Sequence, residues 1–285
     1  MGNAMNSLVF EPPEAHLEPS VMNVSDTVPS SHGQHTIPII TCKHRLARIV
    51  LVYSHGNAED LRTTYQWCRT LSNRLYVNVV AYDYCGYGMH RLDRDHTQPT
   101  QSNVFSDVND VVNHAQRTFP QCAVVVYGRS LGSAPSIHAA ASNPHVQGLI
   151  LESAFLTCVK TMVNTGRMRL PFDMFPNEDT IVQCNQPTLI IHGMEDRVVP
   201  FWHGQQLFQL VPHPWGRGVW ISKGSHNNLD SDHAAEVLHS VRYYLNDLQQ
   251  VLAERALRDS LAPSNIQVQF SNSHPFQSKE TMRSV

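Results

Sequence analysis

Ser130 lies in Gly128-Arg129-Ser130-Leu131-Gly132, between the apolar run Ala123 to Tyr127 and a small-residue stretch of helical spacing that starts at Ser133. A serine hydroxyl becomes a nucleophile only when a base removes its proton, and a histidine base needs an acid to hold its tautomer. A Gly-x-Ser-x-Gly turn between strand and helix can lift such a hydroxyl above a sheet. Its backbone is strained, so only small residues fit two places to either side. The bland alternative is a glycine-rich turn whose serine caps the helix. Partners decide between the two.

Where such an elbow serves a triad, the chain order is serine, acid, histidine. Downstream, TLIIHGMEDRVVP reads as a buried strand followed by a loop holding Glu195 and Asp196, and VWISKGSHNNLD as a second strand followed by a loop holding His226. Each candidate falls just past a strand's C-terminal end, the edge where parallel sheets gather their sites. Asp196 is the expected acid and His226 the base, with Glu195 and Glu152 as alternatives for the acid. His192 comes too early in the order and reads as a structural turn residue. His203, His213 and His233, with Asp230 and Asp232, lack the spacing of a metal motif, so no metal is expected.

Acyl transfer places negative charge on a carbonyl oxygen, which two preorganised N–H donors should meet. One is expected from the backbone of Leu131, which follows the nucleophile. The other should come from SHGNAED, after the run Arg48 to Tyr53, with Asn57 as the donor and Ala58 as the reserve.

The elements that must position these residues alternate. Apolar runs at 36–41, 48–53, 77–82, 123–127, 146–151, 188–192 and 218–222 predict strands, several without polar alternation, as strands covered on both faces require. Helical spacing at 60–73, 102–118, 133–142, 201–210 and 231–257 fills the gaps, with Ala235, Leu238, Val241, Tyr244 and Leu245 forming one face of the last helix. Strand–helix succession predicts an α/β chain with a mostly parallel sheet and helices on both faces. The domain is expected over 36–257, after a flexible leader at 1–35 and before a disordered tail at 258–285.

The formal net charge is −3, with 21 Lys and Arg against 24 Asp and Glu. No concentrated basic surface follows, which argues against a nucleic-acid partner. No apolar run approaches the ~20 residues of a membrane-spanning helix. The start lacks a secretory signal, and the six cysteines form no paired motif. A cytoplasmic chain is expected.

Together YSHGNAEDL, VVAYDYCGYG, YGRSLGSAP, FDMFPN, LIIHGMEDRVV and VWISKGSHNNLD resemble the α/β-hydrolase domain-containing protein 17 family over about residues 36–250. The resemblance implies the α/β-hydrolase fold with a minimal cap, no cofactor, and a serine hydrolase that removes palmitate from protein cysteines. The family's Ser, Asp and His fall on Ser130, Asp196 and His226. Arg129 stands where the family usually has Gln, and no N-terminal cysteine cluster precedes Cys42. Gly2 is instead a candidate for N-myristoylation, although Asn6 occupies the position where Ser or Thr is preferred. One acyl chain gives only marginal, peripheral membrane binding. The expected substrate is an S-acylated protein or a lipid ester. Phe155, Met162, Met168, Phe172 and Phe175 could line an acyl groove or equally pack in the core. A carboxylesterase or lipase acting on small lipids, and an inactive scaffold, remain open.

Overall fold

The central strands are apolar along their whole length because helices cover both faces of the sheet. β3 (Ile49–Ser54, IVLVYS), β4 (Asn78–Tyr82) and β7 (Thr188–Gly193) are buried at every residue. With β5 (Ala123–Arg129), β6 (Val146–Glu152) and β8 (Gly216–Ile221) they form the parallel part of an eight-stranded sheet. Two further strands, β1 (Asp26–Pro29) and β2 (Thr36–Cys42), join antiparallel, and the order is β1-β2-β4-β3-β5-β6-β7-β8. The computed structural model describes residues 6, 9–13, 26–32, 35–88, 98–162, 173–212 and 216–261.

Parallel neighbours need helical crossovers, and the handedness rule sends those moving in opposite directions to opposite faces. α1 (Leu61–Leu75) joins β3 to β4 in one direction. α2 (Gln101–Thr118) and α3 (Ser133–Ser142), which lie in contact, lead the other way to β5 and β6. Short helices α4 (Cys158–Met162) and α5 (Asn177–Thr180) lie between β6 and β7, and α6 (Trp202–Leu210) precedes β8. α7 (Ala234–Leu261) packs Val237, Val241, Tyr244 and Leu248 inward, and its Arg242 donates to the Arg74 carbonyl at the end of α1. Ala235, expected on that inner face, is exposed.

Caps mark the ends of α1. Asp60 accepts from Thr63 N while the Thr63 hydroxyl accepts from Asp60 N, a reciprocal capping box. Asp83, at the end of β4, accepts from Leu61 N at 2.8 Å. That contact gives this aspartate a structural task.

The expected boundary at residue 36 is corrected. β1 lies inside the anticipated leader, pairs with β2 from Asp26↔Ile39 to Pro29↔Thr36, and buries Val28. Ser30 Oγ and Ser31 N then donate to Asp107 and Asp110 of α2. Four residues, DTVP, carry too little alternation to register as a strand, and partners remote in sequence supply the order. Val9 and Phe10 are also buried. Two compact units divide the chain at residues 248 and 249, and the described part of the second, 249–261, is helical. Most of the tail expected at 258–285 lies outside the described residues. Cys42, Cys68, Cys122, Cys158 and Cys184 form no disulfide, and among the described residues no helix is long and apolar enough to cross a membrane.

Candidate active site

β3 and β5 are neighbours although β4 lies between them in sequence, so the chain reverses direction across the sheet there. Ser54, the last residue of β3, stands in register with Gly128. The loops leaving the two strands therefore start side by side at a topological switch point, where open α/β sheets place their crevices.

The elbow is as tight as its sequence implies. Ser130 has φ 49°, a left-handed conformation that costs a residue with Cβ about 1–2 kcal/mol. A Cβ on Gly128 would lie 2.2 Å from the Gly132 carbonyl oxygen, and one on Gly132 would lie 2.0 Å from that of Ser54. Both glycines are needed for backbone to pass backbone. A 3-10 turn, Ser130–Gly132, feeds directly into α3.

Three expected residues meet here. His226, in the loop after β8, lies with Nδ1 2.8 Å from Asp196 Oδ2 and Nε2 3.0 Å from Ser130 Oγ. An ionised carboxylate only accepts, so Nδ1 carries the proton and Nε2 is left to accept from the serine hydroxyl. Burial alone would raise the Asp196 carboxyl. The hydrogen bond and charge of His226, with the Val199 N–H, outweigh it and hold the group below the usual carboxylate range. Asp196 Oδ1 accepts from Val198 N and Val199 N at 2.9 and 2.8 Å, so the loop after β7 grips the acid.

The rivals lie elsewhere. Glu195 is exposed. Glu152 is fully buried against Tyr127 and Arg129. His192, whose pKa burial depresses, donates from Nε2 to the Val199 carbonyl and braces the acid loop. His203 accepts from Leu156 N in a buried position, and burial lowers its pKa to about 4. His213 lies outside the described residues, among which no three His, Cys, Asp or Glu side chains converge to hold a metal.

A cavity of about 400 Å³ opens beside the serine. Leu131, Asn57 and Ala58 all line it, which places the expected oxyanion donors and the reserve around one space. The Asn57 side chain is occupied by other contacts: Oδ1 accepts from Tyr87 Oη at 2.5 Å and Glu11 N at 3.0 Å, and Nδ2 donates to the Val9 carbonyl at 2.8 Å. Any oxyanion contact from this residue thus falls to its backbone.

Of the expected acyl-groove residues, Phe155 lines the cavity. Phe175 is wholly buried and stacks edge-on with Phe10, Phe105 and Phe155, so it is core. The side chain of Met162, at the end of α4, is not among those described, and Met168, Phe172 and Gly2 lie outside the described residues. Sequence reasoning missed Val9, Glu11, Cys158, Val198 and Val199 in the wall. The two valines lie two and three residues after the acid, a signal that was readable. Nothing local marks Val9 or Glu11.

Known proteins similar to this chain carry the names of hydrolases and esterases. The family model described as "Serine aminopeptidase, S33" matches residues 46–172. The chain is 34% identical over 188 residues to α/β-hydrolase domain-containing protein 17B of Xenopus laevis, and 32% identical over 187 residues to the human 17B protein. Each match covers 65% of this chain and 62% of the relative, so the chain spans about three-fifths of the length of these curated relatives. Among solved structures, an esterase of Pyrococcus furiosus superposes with a TM-score of 0.67 at 13% identity, over 84% of this chain and 98% of that one. The esterase domain of a Rhodothermus marinus protein does so at 0.58 and 17%, over 77% and 95%. At such identities the likeness is one of fold, the α/β-hydrolase fold.

Proposed function

We propose, from the premise that this chain is an α/β-hydrolase-fold relative of the α/β-hydrolase domain-containing 17 proteins, that it is a serine hydrolase which cleaves palmitoyl thioesters on protein cysteines. The observation that carries the reading is the continuous Asp196–His226–Ser130 relay, 2.8 and 3.0 Å long, on a strained elbow beside a cavity.

In the proposed reaction Ser130 Oγ attacks the thioester carbonyl carbon while its proton passes to His226 Nε2. The carbonyl oxygen takes up the negative charge, stabilised by the backbone N–H groups of Leu131 and Asn57. Collapse breaks the carbon–sulfur bond, and the imidazolium returns the proton to the departing thiolate. Water, deprotonated by the same histidine, then releases the fatty acid and restores the serine. Asp196 stays ionised throughout and stabilises the imidazolium. No cofactor enters this scheme. The apolar wall of Val9, Leu131, Phe155 and Val198 suits an acyl chain.

Fluorophosphonate labelling of wild type but not Ser130→Ala, with turnover of an S-palmitoylated peptide, tests the reading. Labelled enzyme that hydrolyses short esters and leaves acylated peptides untouched turns it into a carboxylesterase. An unlabelled, inactive wild type leaves a scaffold. Action on acylated proteins would place the chain at the cytosolic face of a membrane, with N-myristoylated Gly2 as its peripheral anchor. Intact-mass measurement after expression with an N-myristoyltransferase checks this, and an unmodified N-terminus removes the anchor.

A further inference from the structure

The residue before the nucleophile is an arginine whose side chain is only 7% exposed. Its guanidinium meets three separate segments of chain. Nη1 lies 2.7 Å from Glu59 Oε1 and 3.1 Å from Asp230 Oδ2. Nη2 donates to the His226 carbonyl oxygen at 3.3 Å, and Nε faces Glu152 Oε1 at 3.5 Å. Each contact leads somewhere useful. Glu59 uses its other oxygen to accept from Gly56 N at 2.6 Å, which fixes the turn bearing Asn57 and Ala58. Asp230 and the His226 carbonyl belong to the loop that carries the base. Glu152 closes β6, stands in register with Arg129 and accepts from the Tyr127 hydroxyl.

A loop by itself holds a histidine poorly, because the backbone after β8 is free to shift along several soft dihedrals. A planar guanidinium with five fixed donors can hold several acceptors at once, whereas an ammonium presents a single charged point on a flexible stem. Its own backbone is locked by pairing between β3 and β6, one residue from the serine.

We propose that Arg129 is a positioning residue for the hydrolysis, its guanidinium holding the loop of His226 and the turn of Asn57 in register with Ser130. It touches no reacting atom. The inference rests on the serine-hydrolase reading above. Without Arg129 the buried Glu152 and the partly exposed Glu59 and Asp230 lose their shared counter-charge and repel one another, which should spread the two loops. Displacement of reacting groups by about 1 Å can cost on the order of a hundredfold in rate.

The test measures kcat, KM, fluorophosphonate labelling rate and melting temperature on the full chain, with wild type, Arg129→Gln, Arg129→Lys, Glu59→Gln and Asp230→Asn. The ester or thioester that wild type turns over best serves as substrate. Folded Arg129→Gln should lose about a hundredfold in kcat and in labelling rate, with KM changed less than about threefold. Arg129→Lys should recover only part of this, since lysine keeps the charge and loses the fork. Glu59→Gln and Asp230→Asn, which keep the arginine, should each lower kcat and should combine non-additively. A folded Arg129→Gln with wild-type kcat overturns the inference. If Arg129→Gln does not fold, kcat within twofold of wild type in both carboxylate variants overturns it equally. A wild-type chain that neither labels nor turns over substrate sinks the hydrolase reading and this inference with it. An active wild type whose variants keep full kcat sinks the inference alone.

Discussion

The two sides of the cavity are built by different means. On one side, Ser130, Asp196 and His226 stand on loops that leave the parallel strands β5, β7 and β8, each fixed by backbone pairing over several residues. On the other, Val9 and Glu11 come from near the N-terminus. They are held by the Asn57 side chain and by Phe10, which packs edge-on against Tyr87 and Phe175 at 6.4 and 5.9 Å. The first side sets the hydrogen-bond distances that proton transfer needs. The second side offers burial and shape. Chemistry should therefore fail when the first is touched, and recognition of the acyl chain should change when the second is.

The largest expected effect is that of Ser130→Ala, which should lower turnover by roughly 10⁴ to 10⁶ and abolish fluorophosphonate labelling. Asp196→Asn comes next. It keeps the shape of the acid and loses the charge that selects the histidine tautomer, so kcat should fall by about 10⁴ in a pre-steady-state or steady-state assay.

Phe10→Ala should act on the other side only. Loss of a buried aromatic worth about 1.5–3 kcal/mol should loosen the Val9–Glu11 wall and raise KM for long acyl chains about tenfold, with kcat within about twofold. A chain-length series measures this, and a fall in kcat like that of Asp196→Asn would erase the distinction between the two sides.

The smallest effect concerns acid. The folded-state pKa of Asp196 is depressed, so its ionisation stabilises the fold above the unfolded value of about 3.9 and that contribution is lost as pH falls through the folded value. Melting temperature should drop for wild type as pH is lowered below about 4, and less steeply for Asp196→Asn. Parallel curves would show that the acid's bond to His226 adds nothing to stability.

Legibility followed the same divide. The strands from β2 to β8 and the triad could be read because each depends on a local pattern: an apolar run, then a turn bearing the reactive residue. Helix α4 could not, since five residues of CVKTM hold no period. Groove and core could not be told apart because Phe155 and Phe175 are alike in sequence, yet one lines the cavity and the other is sealed in the core. Burial of a single aromatic depends on what packs over it, and here that is Phe10, far away along the chain.

Sequence by itself determined the alternation of strand and helix, the glycine-flanked elbow, and the order of serine, acid and histidine, because these follow from side-chain period and from the room a turn requires. Tertiary structure decided that β1 extends the sheet, that residues 9–11 wall the cavity, and that Arg129 faces Glu59, Glu152, Asp230 and the His226 carbonyl at once. Those facts arise where remote segments exchange hydrogen bonds and exclude water together, and no window of neighbouring residues contains them.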